Sequence, residues 1–218
     1  MRTESSLKQL LNSGTKELGI QLSDAQVDAC FLYIQELKKW NRTVNLSAIR
    51  DDRDIIIKHF LDSFAFARGF IPEPGLMLLD MGSGAGFPAL PLKIAFPDIN
   101  VTLIESVKKK ASFLRHIIRT LEFTGAEVAD VRTDMLPTDF SGRFGVVTAR
   151  AFAKMEKALA ESVRFLKPGG FLVLSRGPEE VLERAEIERL GYLPDRTEQV
   201  TLPHSDNRRA IWVFRKRG

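Results

Sequence analysis

The stretch from residue 78 to residue 88 constrains the fold of this chain most, and its sequence is Leu-Leu-Asp-Met-Gly-Ser-Gly-Ala-Gly-Phe-Pro. An apolar run ends in Asp80, glycines follow at every second position, and a segment compatible with a helix comes next. The pattern predicts a strand, a tight turn and the start of a helix. Glycine accepts positive φ and has no Cβ, so such a turn lets backbone approach a ligand closely.

A second short strand is predicted at 101–105, and it ends in Glu105. A carboxylate at that place can accept hydrogen bonds from both hydroxyls of a ribose. The turn and the two acidic strand ends together predict a pocket for a nucleoside-bearing cofactor, for which NAD, FAD and S-adenosylmethionine are the candidates.

Two details of the turn favour S-adenosylmethionine. The dinucleotide fingerprint is G-x-G-x-x-G/A, whereas this turn is G-x-G-x-G and has Phe87 where the fingerprint has a small residue. Pro88 then fits the first turn of a helix. Asp80 would repel a pyrophosphate but suits the sulfonium and ammonium groups of S-adenosylmethionine. The alternative is that Asp80 only organises the backbone donors of the turn.

Length and composition limit the class of protein. The chain has 218 residues, a length that allows one domain with an added segment. Hydrophobic residues make up 44% of it, which is enough for a substantial core. We expect no membrane span and no secretory signal, because no apolar run approaches the roughly 20 residues needed and the N-terminus lacks an apolar core. The single cysteine, Cys30, excludes an internal disulfide, fits a reducing cytoplasm and is expected to be a small buried hydrophobe. The three histidines have no metal-ligand spacing, so we expect no metal.

The net charge of +4 is a mild excess, but the basic residues are clustered. The clusters are Lys38, Lys39 and Arg42; Lys108, Lys109 and Lys110 with Arg115 and Arg119; Arg208 and Arg209; and residues 215–217. Clustered cations with aromatic residues nearby are compatible with a nucleic-acid partner, although they are as often simply a solvated face.

The first 72 residues are predicted to be helical. A capping box from Ser23 to Gln26 opens a helix that ends near Trp40. A second helix is expected from about Asp54 to Arg68, stopped by Gly69. The prolines and glycine of 72–75 mark the clearest boundary. We therefore expect two units, a helical segment over 1–72 that contacts RNA and a cofactor-binding domain over 73–218.

Strands and helices alternate after that boundary. The predicted strands lie near 76–80, 101–105, 126–131, 144–149 and 170–175, the last entered by a tight turn at 167–170, and the predicted helices near 87–96, 107–123, 154–166 and 178–190. Two antiparallel strands without a helix between them are expected at about 196–203 and 209–216. The alternation predicts an α/β fold with a mostly parallel sheet. A parallel sheet closed by such a hairpin is the Rossmann-like fold of S-adenosylmethionine-dependent methyltransferases.

Several blocks, in order along most of the chain, resemble the bacterial 16S ribosomal RNA guanine-N7 methyltransferases, once called glucose-inhibited division protein B. The similar blocks are Trp40-Asn41 with residues 45–51, His59 to Ser63, Asp80 to Pro88 with Pro91-Leu92, Lys109-Lys110 with residues 113–115, and residues 149–153. The chain departs from the family at Arg176, where the family usually has lysine, and at Thr133-Asp134, where the family often has Ala-Glu or Val-Glu. Arginine and lysine differ in geometry and donors, and Asp134 has a shorter stem.

The resemblance implies cofactor contacts for Gly82, Phe87, Thr133, Asp134 and Arg150, with Asp134 accepting from the adenine amino group. The residues themselves add Asp80, Gly84 and Glu105 to this set. Arg150 follows an apolar strand, at the edge where ligands bind in open α/β sheets. It is expected to contact the cofactor carboxylate or RNA; the alternative is an ion pair with Asp80 or a helix end. For His59 and Asp62, function and a local cap or pair are equally open.

The resemblance also implies the reaction, which is methyl transfer from S-adenosylmethionine to guanine N7 in the decoding-site loop of 16S rRNA, free or within the small subunit or its precursor. The candidate RNA contacts are Lys109, Lys110, Arg115, Arg176, Arg208 and Arg209. Since N7 carries no proton, no general base and no catalytic residue are expected, which agrees with the lack of a His-acid or Ser-His motif. The alternatives are a nicotinamide oxidoreductase, disfavoured by Asp80 and Phe87, and an RNA-binding assembly factor with a decayed pocket.

Overall fold

The computed structural model describes residues 3–150, 152, 154–176 and 182–218. Its N-terminal part is helical, as the sequence predicts. The helices are α1 (Glu4–Glu17), α2 (Asp24–Trp40), α3 (Asp52–Ile55) and α4 (Asp62–Ala65), with a π-helical segment at Ile56–Leu61 and a 3-10 turn at Phe66–Gly69. The predicted capping box is confirmed, because Ser23 Oγ accepts from Gln26 N at 3.3 Å and Gln26 Oε1 accepts from Ser23 N at 2.8 Å.

The helix predicted from Asp54 to Arg68 is present but is not a regular α-helix. Its middle, Ile56–Leu61, has i→i+5 hydrogen bonding, so one turn contains an extra residue. An apolar pattern of period 3.6 does not distinguish such a turn from an α-helix, which is why the sequence did not reveal it. The π-helical segment contains His59 and is followed directly by Asp62, and both side chains matter below.

Seven strands form one sheet. They are β1 (Met77–Met81), β2 (Asn100–Ile104), β3 (Ala126–Ala129), β4 (Phe144–Arg150), β5 (Leu166–Arg176), β6 (Tyr192–Thr201) and β7 (Arg208–Lys216). Their spatial order is β3-β2-β1-β4-β5-β7-β6. The pairs among β1 to β5 are parallel, and β7 is antiparallel to both β5 and β6. The predicted fold, a mostly parallel sheet with an antiparallel C-terminal hairpin, is confirmed.

Connecting helices follow the strands. They are α5 (Ala89–Ala95), α6 (Lys108–Thr120), α7 (Met155–Ser162) and α8 (Arg184–Arg189), and short 3-10 turns lie at Thr133–Met135 and Thr138–Phe140. The order of the strands switches sides at β1. Strands β2 and β3 lie on one side of β1, whereas β4 and β5 lie on its other side. In open α/β sheets, ligands bind at the carboxyl ends of the strands beside such a switch point.

Several predicted boundaries were wrong. Phe87 and Pro88, joined by a cis peptide bond, precede α5 rather than begin it. Residues 167–170 were expected as a turn before a strand. They belong to β5 as an outward bulge, because Phe144 pairs with Leu166 whereas Val146 pairs with Phe171. Strand β3 ends at Ala129, not 131. Residues 177–181, at the start of the helix predicted at 178–190, lie outside the described residues.

Two apolar clusters pack on the sheet. The smaller involves α7 and α8, and the larger joins the N-terminal helices to α5, α6 and the strands. Fully buried Phe60 and Phe64 share that larger cluster with Leu78 and Phe113. The helical segment before residue 72 therefore packs in one apolar cluster with residues of the predicted cofactor-binding domain. In the described part of the chain, no helix combines the length and apolarity needed to cross a membrane.

Candidate functional site

The glycine turn lies at the carboxyl end of β1 and has an open side. Gly82, Gly84 and Gly86 all have positive φ, at 67°, 57° and 89°. A Cβ on Gly82 would lie 2.7 Å from the ring of Phe152, so a side chain does not fit there. A Cβ on Gly84 would have only the carbonyl oxygen of Gly82 nearby, at 3.9 Å. The space beside Gly84 is therefore where a ligand can approach the backbone.

Glu105, after β2, organises this turn. Its side chain is buried, its Oε2 accepts from Gly84 N at 2.9 Å, and its Oε1 accepts from Val107 N at 2.8 Å. Each carboxylate oxygen keeps a second lone pair. Glu105 can therefore hold the turn and still accept the hydroxyls of a ribose. This is the turn-organising role that the sequence left open for Asp80.

Asp80 has a different environment. It is fully buried, and its Oδ1 accepts from Thr148 Oγ1 at 2.8 Å. Its Oδ2 has no hydrogen-bond partner among the described residues. Burial raises the pKa of Asp80 from 3.8 to about 6, against the opposing effects of Thr148 and the positive charge of Arg150. A buried carboxylate oxygen without a partner is costly, and a cationic ligand at the neighbouring turn would stabilise it.

Asp80→Asn should change the pH dependence of stability. Between pH 4 and pH 6 the folded state holds the Asp80 proton while the unfolded state has lost it. Ionisation of Asp80 therefore lowers the free energy of unfolding as the pH rises through this window, by about 3 kcal/mol in total. We expect the stability of the variant relative to wild type to rise from pH 4 to pH 6 and to stay constant above pH 7, as measured by urea unfolding.

The stability of Asp80→Asn must be compared with that of wild type at each pH. His59 is present in both proteins, and its titration changes the free energy of unfolding in the opposite direction. Burial, with the charge of Arg150, lowers the pKa of His59 to about 3. The unfolded state thus binds more protons than the folded state up to about pH 6.5, and this contribution to stability increases with pH. A difference between Asp80→Asn and wild type that does not vary with pH would contradict the assignment to Asp80.

Arg150, the last residue of β4, connects the sheet edge to the N-terminal helices. Its guanidinium donates to the Lys58 carbonyl at 3.2 Å and to Asp62 Oδ2 at 3.3 Å, and Nη2 lies 3.3 Å from His59 Nδ1. Of the two structural alternatives for Arg150, the ion pair with Asp80 was wrong, whereas the ion pair with a helix end is present, since Asp62 begins α4. Asp62 is itself buried and also accepts from Arg209 Nε at 2.9 Å. One carboxylate therefore fixes two arginines at this edge.

His59 is held in one state by its neighbours. Arginine only donates hydrogen bonds, so His59 Nδ1 must accept from Arg150 and the proton must lie on Nε2. That Nε2 is 2.7 Å from Ser47 Oγ, which also accepts from Ile49 N at 3.0 Å. With its pKa near 3, His59 is neutral at physiological pH and positions Arg150. The sequence also allowed His59 and Asp62 to form only a local cap or pair. In the structure their side chains instead contact Arg150, which lies far away in the chain.

Phe87 joins the cofactor turn to the N-terminal helices through its ring. The ring lies nearly parallel to Tyr33, with centroids 5.3 Å apart, and to His59, at 4.6 Å, while Phe60 packs edge-on at 5.5 Å. Tyr33 is fully buried and its hydroxyl donates to the Ala85 carbonyl in the turn. Phe87 as a whole is only 3% exposed, so its ring has a packing role and its contact with a cofactor stays a prediction.

Thr133 and Asp134 follow β3, which lies beside β2 in the sheet. Thr133 is buried, and its carbonyl accepts from Arg164. Asp134 is exposed, and its carboxylate accepts two hydrogen bonds from Arg132, both 3.1 Å long. These bonds lower the pKa of Asp134. Asp134 is thus an ionised acceptor, and its contact with an adenine amino group stays a prediction.

The candidate RNA contacts fall into two groups. Arg176 ends β5, where it is paired with Ala210, so it lies next to Arg208 and Arg209. Arg208 is exposed, whereas Arg209 is half-buried on Asp62. The other group is on α6: Lys109 is exposed, Lys110 is partly buried, and Arg115 forms an ion pair with Asp130 at 3.1 Å. Since α6 begins three residues after Glu105, its first turn also borders the cofactor turn.

Two participants in this edge were missed as site residues, although Ser47 lies in one of the blocks that resemble the family. Tyr33 and Ser47 lie far from the turn along the chain and were not singled out as site residues. Cys30 is buried, as predicted, and burial raises the pKa of its thiol. No group of three or more His, Cys, Asp or Glu side chains within the described ranges could hold a metal ion.

The comparisons with known sequences agree on one family. The model of the family described as rRNA small subunit methyltransferase G matches residues 26–211. Ribosomal RNA small subunit methyltransferase G of Geobacter sp. (strain M21) is 37% identical over 213 residues, covering 96% of this chain and 97% of the relative. The protein of that name from Chloroflexus aggregans is 40% identical, covering 94% and 89%.

Solved structures with little sequence identity share the fold. A SAM-dependent methyltransferase from Aquifex aeolicus aligns over 76% of this chain and 93% of its own, with a TM-score of 0.55 and 20% identity. TYW2 of M. jannaschii, solved in complex with AdoMet, aligns over 72% and 75%, with a TM-score of 0.55 and 17% identity. At these identities the likeness establishes only the fold.

Proposed function

The chain belongs to the rRNA small subunit methyltransferase G family, and on that basis we propose that it methylates N7 of a guanine in the 530 loop of 16S rRNA. S-adenosylmethionine is its cofactor, and methylation of small-subunit rRNA is its general activity. The methylated atom, guanine N7, and its place in the 530 loop are the parts of the proposal that go beyond this general activity.

The observation that supports N7 is the state of His59. It is the histidine beside Arg150, and both of its ring nitrogens are occupied, one by Arg150 and one by Ser47. Its low pKa makes it a poor proton acceptor near neutrality. Guanine N7 has a free lone pair and no proton to lose, so attack from N7 requires no base. An exocyclic nitrogen or a hydroxyl would need one.

Binding and orientation are then the tasks of the protein. The bound cofactor supplies an electrophilic methyl carbon on a sulfonium. Transfer of that methyl group to the N7 lone pair would leave the carbon–sulfur electrons on sulfur and release no proton, so the residues at the edge would only have to hold the cofactor and the base in position. Holding N7 in line can contribute roughly 7–11 kcal/mol to lowering the barrier. A neighbouring anion stabilises the cationic product guanine.

The residues at the edge divide this work. We propose that Asp80 stabilises the cationic groups of the cofactor, Glu105 accepts the ribose hydroxyls, and Gly82, Gly84 and Phe87 contact it through their backbone. Arg150, fixed by Asp62 and His59, binds the cofactor carboxylate or RNA, and Thr133 and Asp134 bind the adenine. Both basic groups beside the edge, with Lys109 and Arg208 as their exposed members, contact the RNA. We place the reaction in the cytoplasm, on the small subunit or its precursor.

Product analysis tests the proposal. Purified protein is incubated with methyl-labelled S-adenosylmethionine and either deproteinised 16S rRNA or small subunits from cells lacking this enzyme. We expect one labelled nucleoside, N7-methylguanosine, in the 530 loop. Label in another nucleoside would overturn the N7 assignment, and the absence of any transfer to either substrate would overturn the activity.

The pH dependence of the chemical step provides a second test. Single-turnover methyl transfer at saturating RNA and cofactor should not vary between about pH 6 and pH 9, because no side chain abstracts a proton. His59→Asn should alter RNA or cofactor binding, or stability, and leave this profile flat. A limb near pH 6.5 that disappears only in His59→Asn would instead show proton abstraction by His59.

A further inference from the structure

We infer that the cavity at the C-terminal end of α2 binds phosphates of the RNA backbone. The inference rests on the proposed rRNA substrate. The cavity has a volume of about 480 Å³ and lies between the end of α2, the connection after it and α3. None of the six candidate RNA contacts on α6, β5 and β7 lines it, whereas Lys38 and Arg42 of the basic cluster on α2 do.

The charge of the cavity suits an anion. Its eight lining residues include three cations, Lys38, Arg42 and Arg50, and no acid. Lys38 is paired with Asp52 at 2.6 Å. Arg42 and Arg50 are exposed and form no ion pair with any residue in the described ranges. Two arginines without a carboxylate partner can each donate two parallel hydrogen bonds to a phosphate.

The shape of the cavity suits a chain of phosphates more than a single anion. A second cavity of about 600 Å³ adjoins it and shares Lys38 and Arg42 as lining residues. Lys39 and Phe31 also line this second cavity, as do two acids, Glu4 and Asp52, which are paired with Lys8 and Lys38 respectively. The two together form a groove along α2 lined by four basic and two acidic side chains, and this excess of positive charge suits a nucleic-acid backbone.

The connection that presents Arg42 and Arg50 is held in place by Asn41. Its Oδ1 accepts from Leu46 N at 2.9 Å and from Ser47 N at 3.0 Å, and its Nδ2 donates to the Ser47 carbonyl at 2.7 Å. The cavity is therefore built on an ordered backbone, so an RNA phosphate would meet arginines whose main chain is already fixed.

The same connection reaches the cofactor edge. Ser47 lies between Arg42 and Arg50 in the chain, and its Oγ is 2.7 Å from His59, whose other nitrogen contacts Arg150. Ser47 does not itself line the cavity, but it belongs to the connection that does, and two side-chain contacts link it to Arg150 at the end of β4. RNA bound along the α2 groove would run beside the site where the target base must be placed.

The double variant Arg42→Gln/Arg50→Gln tests the inference. The probes are deproteinised 16S rRNA and small subunits, in filter binding over a range of salt concentrations. We expect the variant to bind the RNA form that wild type prefers about 10-fold to 100-fold more weakly. We also expect the slope of log affinity against log salt to be smaller by about 1.4 to 1.8 units. Affinity for S-adenosylmethionine, thermal stability and the rate at saturating RNA should match wild type.

The matched control is Arg184→Gln/Arg189→Gln, which removes two exposed arginines of α8. If both double variants have the same RNA affinity and salt slope while wild type still methylates rRNA, the inference fails and the proposed function stands. If inorganic phosphate binds wild type but not Arg42→Gln/Arg50→Gln, and RNA binding is unchanged, the cavity is a small-anion site and the inference also fails. If wild type methylates no rRNA, the proposed function fails first.

Discussion

Glu105→Ala should lower the affinity for S-adenosylmethionine by between roughly 10²- and 10⁴-fold. Two ribose hydroxyls donating to an ionised carboxylate form charge-assisted hydrogen bonds, each of about 1.5–3 kcal/mol. The same change also leaves Gly84 N and Val107 N without their acceptor, so the backbone of the turn is no longer held by Glu105. The affinity is measured by titration calorimetry, with Glu73→Ala, an exposed glutamate before β1, as the control.

A comparison of ligands separates contact with the ribose from support of the turn. S-adenosylhomocysteine and its 2′-deoxy analogue differ by one hydroxyl. Wild type should bind the deoxy ligand about 10-fold or more weakly, whereas Glu105→Ala should no longer distinguish the two. Equal discrimination by both proteins would show that Glu105 only shapes the turn and that the ribose is held elsewhere.

Phe87→Ala should lower the free energy of unfolding of the cofactor-free protein by about 3–5 kcal/mol, the usual cost of truncating a buried phenylalanine. The ring is 3% exposed and packs against Tyr33, His59 and Phe60, so its removal leaves a cavity between the cofactor turn and the N-terminal helices. Urea unfolding measures the loss, read from the midpoint at constant m value.

Two further variants show whether the stacked rings account for the loss of stability in Phe87→Ala. Phe87→Leu keeps most of the volume but loses the stacked contacts, and should cost about 1–3 kcal/mol. Phe140→Ala truncates a partly exposed ring that stacks on Phe144, and should cost less than Phe87→Ala because it opens no enclosed cavity. If Phe87→Ala were as mild as Phe140→Ala, the contact between the turn and the helices would not be structural.

Local sequence predicted those parts of the protein that depend on neighbouring residues. The capping box at Ser23 is an interaction between residues three apart, so its pattern is visible in the chain. Buried parallel strands are short apolar runs between breakers, which is why β1, β2 and β4 lie close to their predicted bounds. The glycines of the turn were recognisable because positive φ limits the choice of residue.

Predictions were least accurate where backbone geometry departs from a regular period. The π-helical segment contains one extra residue per turn, and the bulge in β5 places residues 167–170 within a strand. Neither feature changes the apolar pattern enough to be seen in the sequence. Both depend on contacts with other elements, since helix and strand irregularities persist where packing compensates them.

The sequence by itself determined the order of strands and helices, the glycine turn and the acidic strand ends, since each follows from spacing and residue type within a few positions. Tertiary structure alone decided the partners of those residues. Arg150 pairs with Asp62 and not Asp80, Glu105 and not Asp80 holds the turn, and Phe87 packs against Tyr33. The physical reason is that these partners lie from 21 to 88 residues apart in the chain, and hydrogen bonds and ring contacts of a few ångströms form only once the fold has brought their backbones together.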